Sequence, residues 1–121
     1  MTNGGCLLTV SFYGADKVVE NYNLMGPVKA ALEASVRYVA ADLADRGIRA
    51  HAISAGPVKT RAASGIGRFD ELMDAVRART PAGRLVTIEE IGCIAAFLAS
   101  DAGAPLTGSV VYADNGFHTI A

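Results

Sequence analysis

Tyr22 and Lys29 stand seven residues apart in the stretch NYNLMGPVK, residues 21–29. On a helix that separation is roughly 700° of rotation and about 10 Å of rise, so both side chains would lie on one face. The phenol, with a reference pKa of about 10, is a neutral donor near pH 7. The ammonium offers several donors on a flexible stem. Held on one wall of a cleft, the two can share one substrate–cofactor pair, which is the arrangement of reductase chemistry. Spacing alone also suits a residue at a helix start and a solvated charge, so the flanks must decide. Pro27 matters here: in a helix interior it costs ~3 kcal/mol, but in the first turn it costs little. The regular helix is therefore expected to begin between Asn23 and Gly26, with Tyr22 at or just before its first turn.

The elements that must position this pair follow from periodicity. Residues 6–12, CLLTVSF, read as a strand buried on both faces. Val28, Leu32, Val36, Val39 and Leu43 form one apolar helical stripe. Lys29, Glu33, Arg37 and Asp42 lie off it, with Glu33 and Arg37 as a surface pair and Gly47 as the stop. Ile48–Ala55 reads as a second strand ended by Gly56 and Pro57. A loop rich in Ala, Ser, Gly and Arg runs to Arg68, and Phe69, Leu72, Met73 and Val76 suggest a short helix closed before Pro81. Thr87 and Glu90 form a capping box opening a helix with Ile91, Ile94, Ala95 and Leu98. Ser109–Ala113 is a third strand, and Asp114, Asn115 and Gly116 turn away from it. Strands separated by helices imply parallel pairing in an α/β fold.

The bulk composition is neutral about the reaction. The 121 residues suit one modest domain with a real core, since 51% are hydrophobic. Eleven basic and twelve acidic residues give a net charge of −1, which offers no bulk attraction to nucleic acid or anionic membrane. Cys6 and Cys93 make no disulfide framework and read as buried thiols of a reducing compartment, Cys93 on the apolar side of its helix. The first residues, MTNGG, have no cationic stretch leading into an apolar run. No apolar run approaches the ~18 residues of a membrane span. A cytoplasmic protein is expected. His51 and His118 have no evident metal partners and read as structural, so no metal site is expected.

Several stretches resemble the short-chain dehydrogenase/reductase superfamily and, more narrowly, the bacterial NADH-dependent enoyl-acyl-carrier-protein reductases. They are FYGADKVV (12–19), NYNLMG (21–26), KAALEASVRY (29–38), AISAGP (52–57) and TRAASGI (60–66). The tail motifs, PAGR (81–84), EEIG (89–92), FLASD (97–101) and Thr107-Gly108, are those of the wider superfamily. Ketone-reducing members use Tyr and Lys four apart, but here Gly26 occupies that position, and seven apart is the enoyl-reductase spacing. The resemblance covers the whole chain and only the C-terminal half of the family's doubly wound Rossmann-type sheet, about three strands with flanking helices. The Gly-rich pyrophosphate loop of the first half is not among these residues. Residues 1–121 are thus expected to form a single partial Rossmann-like domain carrying the catalytic and lid parts.

The resemblance implies roles. Tyr22 would donate a hydrogen bond to the thioester oxygen of a trans-2-enoyl-acyl-carrier-protein as enolate charge develops. The α-carbon proton would come from Tyr22 or from solvent. Lys29 would reach the nicotinamide ribose of NADH. Gly56, Pro57 and Val58 would pass the nicotinamide, with Thr60 bonding its carboxamide or the pyrophosphate. Ala62 and Ala63, followed by Phe69 and Leu72, resemble the family's mobile lid, where Ala62 would touch both cofactor and acyl chain. Phe12, Tyr13 and Met25 complete the implied substrate wall. Phe12 stands where members often carry a second tyrosine, and Tyr13 would point to the opposite side if the strand continued. Arg61, Arg68, Arg77 and Arg79 are a basic scatter that suits either solubility or docking of the acidic carrier. The family forms tetramers through the helix around residues 22–46. Two readings stay open: the catalytic half of such a reductase, inactive alone, or a non-catalytic remnant that keeps only packing surfaces. NADH over NADPH and the acyl length rest on the family or are unreadable.

Overall fold

The computed structural model describes residues 1–58, 60 and 68–121. The central strand is β2, Ile48–Ala55, paired in parallel with β1, Gly5–Ser11, on one side and β3, Ser109–Ala113, on the other. Between the strands run α1, Met25–Asp42; α2, Phe69–Arg79; and α3, Ile88–Ala99. Ser11 lies opposite Ser54, and Ala55 opposite Ala113, so all three strands end along one edge. This is the α/β parallel sheet expected from the alternation of strands and helices.

Side chains alternate across a strand, which decides what each face of β2 meets. Ala50 and Ala52 face α1 and pack with Val36 and Ala40, joined by Val39 and Val110. Small residues there let the helix approach closely. Ile53 faces the other way and packs with Leu98 and Ala113, flanked by Ile91, Ile94 and Ala95 of α3. Arg49 on β2 also faces α3 and ends it: its guanidinium donates to the carbonyls of Leu98 at 2.6 Å, Ser100 at 3.2 Å and Gly103 at 3.1 Å. A cation there satisfies orphan carbonyls at the negative end of the helix dipole. The capping box at the other end forms in both directions, with Glu90 N–H donating to Thr87 Oγ1 and Thr87 N–H to Glu90 Oε1.

Several expectations are corrected. β1 is not buried on both faces: Leu7 and Leu8 are exposed and Val10 is 54% exposed, and among the described residues β1 lies at the edge of the sheet, paired with β2 alone. Val28 is exposed, so the inner face of α1 is carried by Val36, Val39 and Ala40. Cys93 is exposed and Cys6 only half-buried. Cys93 lies about 200° around the helix from Ile91, on the side away from the sheet. Glu33 and Arg37 do not form an ion pair through their side chains. The Glu33 carboxylate accepts from Ser11 Oγ at 2.6 Å, and Arg37 reaches only the Glu33 backbone carbonyl. No helix among the described residues is long and apolar enough to cross a membrane.

Candidate functional site

The carboxyl edge of the sheet is where the sequence-marked residues collect. After Ser11 the chain stays extended for Phe12 and then tightens into a 3-10 turn, Tyr13–Ala15. That turn breaks the strand alternation. The Tyr13 ring consequently lies on the same side as Phe12, with centroids 4.6 Å apart, and not on the opposite side. Phe12 in turn meets the Tyr22 ring at 5.1 Å, and Tyr13 meets Phe117 edge-on at 5.2 Å. Val19 and Val76 complete this buried cluster, with Leu72 packed against it.

Tyr22 sits in the turn before α1. Its carbonyl accepts from Met25 N–H at 3.1 Å, and Asn21 and Asn23 on either side adopt left-handed backbone conformations. Asparagine tolerates that region better than most residues. Pro27 falls in the first turn of α1, where its missing N–H is harmless. The Tyr22 ring is 5% exposed, and burial raises its pKa above the ordinary phenol value. Burial thus reinforces the neutral, donating form that a phenol already has near pH 7. Burial also raises the Tyr13 pKa, partly offset by the positive charge of Arg79. A hollow of about 550 Å³ opens beside Tyr22, lined in part by Gly14, Lys17, Asn23, Gly26 and Ala30.

Two glycines let these segments meet. A Cβ on Gly14 would lie 2.6 Å from Cδ2 and 2.7 Å from Cε2 of Tyr22. A Cβ on Gly26 would lie 3.0 Å from the Gly14 carbonyl oxygen. Gly26 thus does more than vacate the position of a lysine: it seats the first turn of α1 against the turn after β1.

Lys29 lies in the second turn of α1, and its Nζ donates to the Val10 carbonyl oxygen at 2.8 Å. It is outside the aromatic cluster. Since Tyr22 precedes the helix, ideal helical rotation does not relate the two; the turn at residues 21–24 does.

Gly56 and Pro57 are buried just past β2, Val58 is half-buried and Thr60 is exposed. The α-carbon of Gly56 faces protein: a Cβ there would meet Asp114 at 3.3 Å and Val86 at 3.4 Å. Met25 is exposed at the start of α1, and Phe69 is buried at the start of α2. Ala62 and Ala63, like Arg61, lie outside the described residues. Of the remaining basic scatter, Arg68 pairs with Glu71, Arg77 with Asp74, and Arg79 lies over the Phe117 ring. Among the described residues no group of three His, Cys, Asp or Glu is arranged to hold a metal ion.

Sequence reasoning missed the polar network at the same edge. Buried Asp114 accepts from Gly116 and His118 N–H and faces His118 Nδ1 at 2.9 Å, while the His118 ring stacks on Tyr112 at 3.9 Å. The Asp-Asn-Gly turn signal was visible, but the histidine four residues on gave no sign of folding back. The close approach of Gly14 to Tyr22 likewise left no local trace.

The family model described as Enoyl-(Acyl carrier protein) reductase matches residues 1–118. Enoyl-acyl-carrier-protein reductase (NADH) 1 of Rhizobium meliloti is 53% identical over 120 residues, covering 99% of this chain and 44% of that protein. The Escherichia coli K12 enoyl-acyl-carrier-protein reductase (NADH) FabI is 50% identical over 118 residues, covering 98% of this chain and 45% of that protein. A crystal structure of the Bacillus cereus enoyl-acyl carrier protein reductase with NADP+ and indole naphthyridinone superposes with a TM-score of 0.95 at 46% identity. It is covered over 47% of its length by 100% of this chain. The chain spans about half the length of the relatives it matches.

Proposed function

We propose, from the premise that the chain belongs to the enoyl-(acyl carrier protein) reductase family, that it is the catalytic half of an NADH-dependent reductase of trans-2-enoyl-acyl-carrier-protein. The observation that carries this reading is Tyr22, buried at the carboxyl edge of the sheet, seven residues ahead of Lys29.

The groups at this edge suit the nicotinamide-ribose end of a dinucleotide. Among the described residues Lys29 makes one hydrogen bond, to Val10, and an ammonium has three donors. The Gly56–Val58 backbone and Thr60 leave the same sheet edge, where open α/β sheets bind ligands. Bound NADH would supply the hydride. Tyr22 would then donate to the thioester oxygen as negative charge develops on it. A preorganised donor aimed at the oxygen where charge develops stabilises it without reorganisation at the moment of reaction. The Lys29 charge would favour the same oxyanion while holding the ribose hydroxyls. With Phe12 where a second hydroxyl often stands, no phenol at that position shares the proton path. Leu72 and Phe69 would cover an acyl chain together with Ala62, and exposed Val28 and Tyr38 on α1 fit a surface for oligomer assembly.

The chain alone is expected to be inactive, as half of the relatives' length is missing from it. The test is NADH oxidation with a short trans-2-enoyl thioester, for the 121-residue chain alone and for the chain joined to the part of the Rhizobium meliloti relative that it does not cover. Turnover of the joined protein that Tyr22→Phe reduces supports the reading. A joined protein that folds, binds NADH and shows no turnover favours the alternative, a remnant that keeps only packing surfaces.

A further inference from the structure

We infer that Gly14 is a positioning residue for Tyr22, setting where the phenol stands when it meets the substrate oxygen; this rests on the reading of Tyr22 as the donor. The turn after β1 crosses the Tyr22 ring so closely that a Cβ on Gly14 would stand 2.6 Å from Cδ2 and 2.7 Å from Cε2. Both distances are far inside van der Waals contact, so the ring would have to withdraw by several tenths of an ångström. It has packed neighbours to withdraw against: the Phe12 ring at 5.1 Å, with Val19 and Val76 in the same cluster. Backbone retreat is constrained too. The Gly14 carbonyl already approaches α1, where a Cβ on Gly26 would be 3.0 Å from its oxygen. The turn is held by hydrogen bonds from Ala15 N–H to Phe12 O and from Lys17 N–H to Tyr13 O, each at 3.0 Å. Gly14 and Gly26 thus act in series: the first lets the turn lie on the ring, and the second lets the helix lie on the turn. Neither glycine adopts a left-handed backbone, so close approach, not conformational freedom, explains both.

A donor must stand within hydrogen-bond reach of the charge that develops, and a misplacement of about 1 Å can cost on the order of 100-fold in rate. Gly14→Ala in the joined protein is therefore expected to lower kcat by roughly 10- to 100-fold with the KM for NADH unchanged. The discriminating measurement is a double-mutant cycle with Tyr22→Phe. If Gly14 acts through the phenol hydroxyl, Gly14→Ala costs nothing further in the Tyr22→Phe background. An equal loss in both backgrounds, or an unchanged kcat in a folded Gly14→Ala protein, overturns the inference while leaving the donor reading intact. If Tyr22→Phe alone changes nothing, the donor reading fails, and the inference fails with it. Should Gly14→Ala not fold, by circular dichroism, Gly26→Ala replaces it in the same cycle. Its milder overlap with the Gly14 oxygen is expected to give a several-fold loss of kcat, likewise absent from the Tyr22→Phe background.

Discussion

The Lys29 ammonium donates to the Val10 carbonyl oxygen at 2.8 Å, tying the second turn of α1 to the residue before the end of β1. Next to it Ser11 Oγ donates to the Glu33 carboxylate at 2.6 Å. Two side chains one helical turn apart thus hold α1 to the strand that leads into the Tyr22 turn. Lys29 is therefore pre-aimed at the carboxyl edge, with donors left for a ligand.

Lys29→Ala in the joined protein is expected to weaken NADH binding. A hydrogen bond to a charged group contributes about 1.5–3 kcal/mol, or roughly 10- to 100-fold in affinity. A fluorescence titration with NADH measures it directly. Unchanged affinity would remove Lys29 from the ribose.

His51 is fully buried, and among the described residues neither ring nitrogen makes a well-formed hydrogen bond. Burial lowers its pKa below the ordinary 6.5; the approach of the Leu106 backbone opposes this, and the Arg49 charge, the smallest of the three effects, adds to the lowering. The unfolded chain therefore binds a proton that the folded one refuses. This contribution to stability is complete above pH ~6.5 and is lost as pH falls through the folded-state value. His51→Leu is expected to flatten that acid slope and to raise stability at neutral pH by about 1 kcal/mol, since it removes unsatisfied polar atoms. Urea unfolding at a series of pH values tests both; an unaltered slope would mean that another group is responsible.

Glu90 is held at a pKa of about 2, from an ordinary 4.5, first by its hydrogen bond from Arg84 and then by the Thr87 backbone N–H. The sign is opposite in residue type but equal in sense: stability from this carboxylate is present above pH ~4.5 and lost as pH falls toward about 2. The pair is exposed, so salt will screen it. Arg84→Ala is expected to return the Glu90 titration, followed by carboxyl NMR, most of the way to the ordinary range. A value that stays near 2 would assign the shift to the capping box alone.

Among the described residues the outer backbone edge of β1 is unpaired, and Leu7, Leu8 and Val10 on its faces are exposed. Such an edge invites strand pairing between copies. The 121-residue chain alone is expected to self-associate, and Leu7→Lys with Val10→Lys to reduce this, as seen by sedimentation. A monomeric parent chain would contradict the expectation.

Local signals carried much of this protein. β2 and β3 begin and end where the apolar residues and the flanking turns predict, at Ile48–Ala55 and Ser109–Ala113. The Thr87–Glu90 box and the Pro27 constraint located the starts of α3 and α1. These features depend on residues within a few positions of one another, so periodicity and cap chemistry suffice to read them. The motifs around Tyr22 pointed to the family for a related reason: they are short, contiguous and chemically unusual.

What only the tertiary structure decided lies between segments distant in sequence or beyond the reach of alternation. β1 reads as doubly buried because its composition is apolar, yet the burial of a strand is set by what packs around it, and among the described residues it stands at the edge of the sheet with exposed faces. Cys93 is apolar enough for a core, but its exposure is fixed by which face of α3 the sheet covers. Tyr13 lies beside Phe12 because a 3-10 turn replaces the next strand residue, which no period-two rule anticipates. Gly14 and Tyr22 meet because two turns cross. Sequence determines which groups are available for the chemistry; packing determines where the phenol stands, because that position is a sum of contacts from β1, its turn and α1 that no single segment contains.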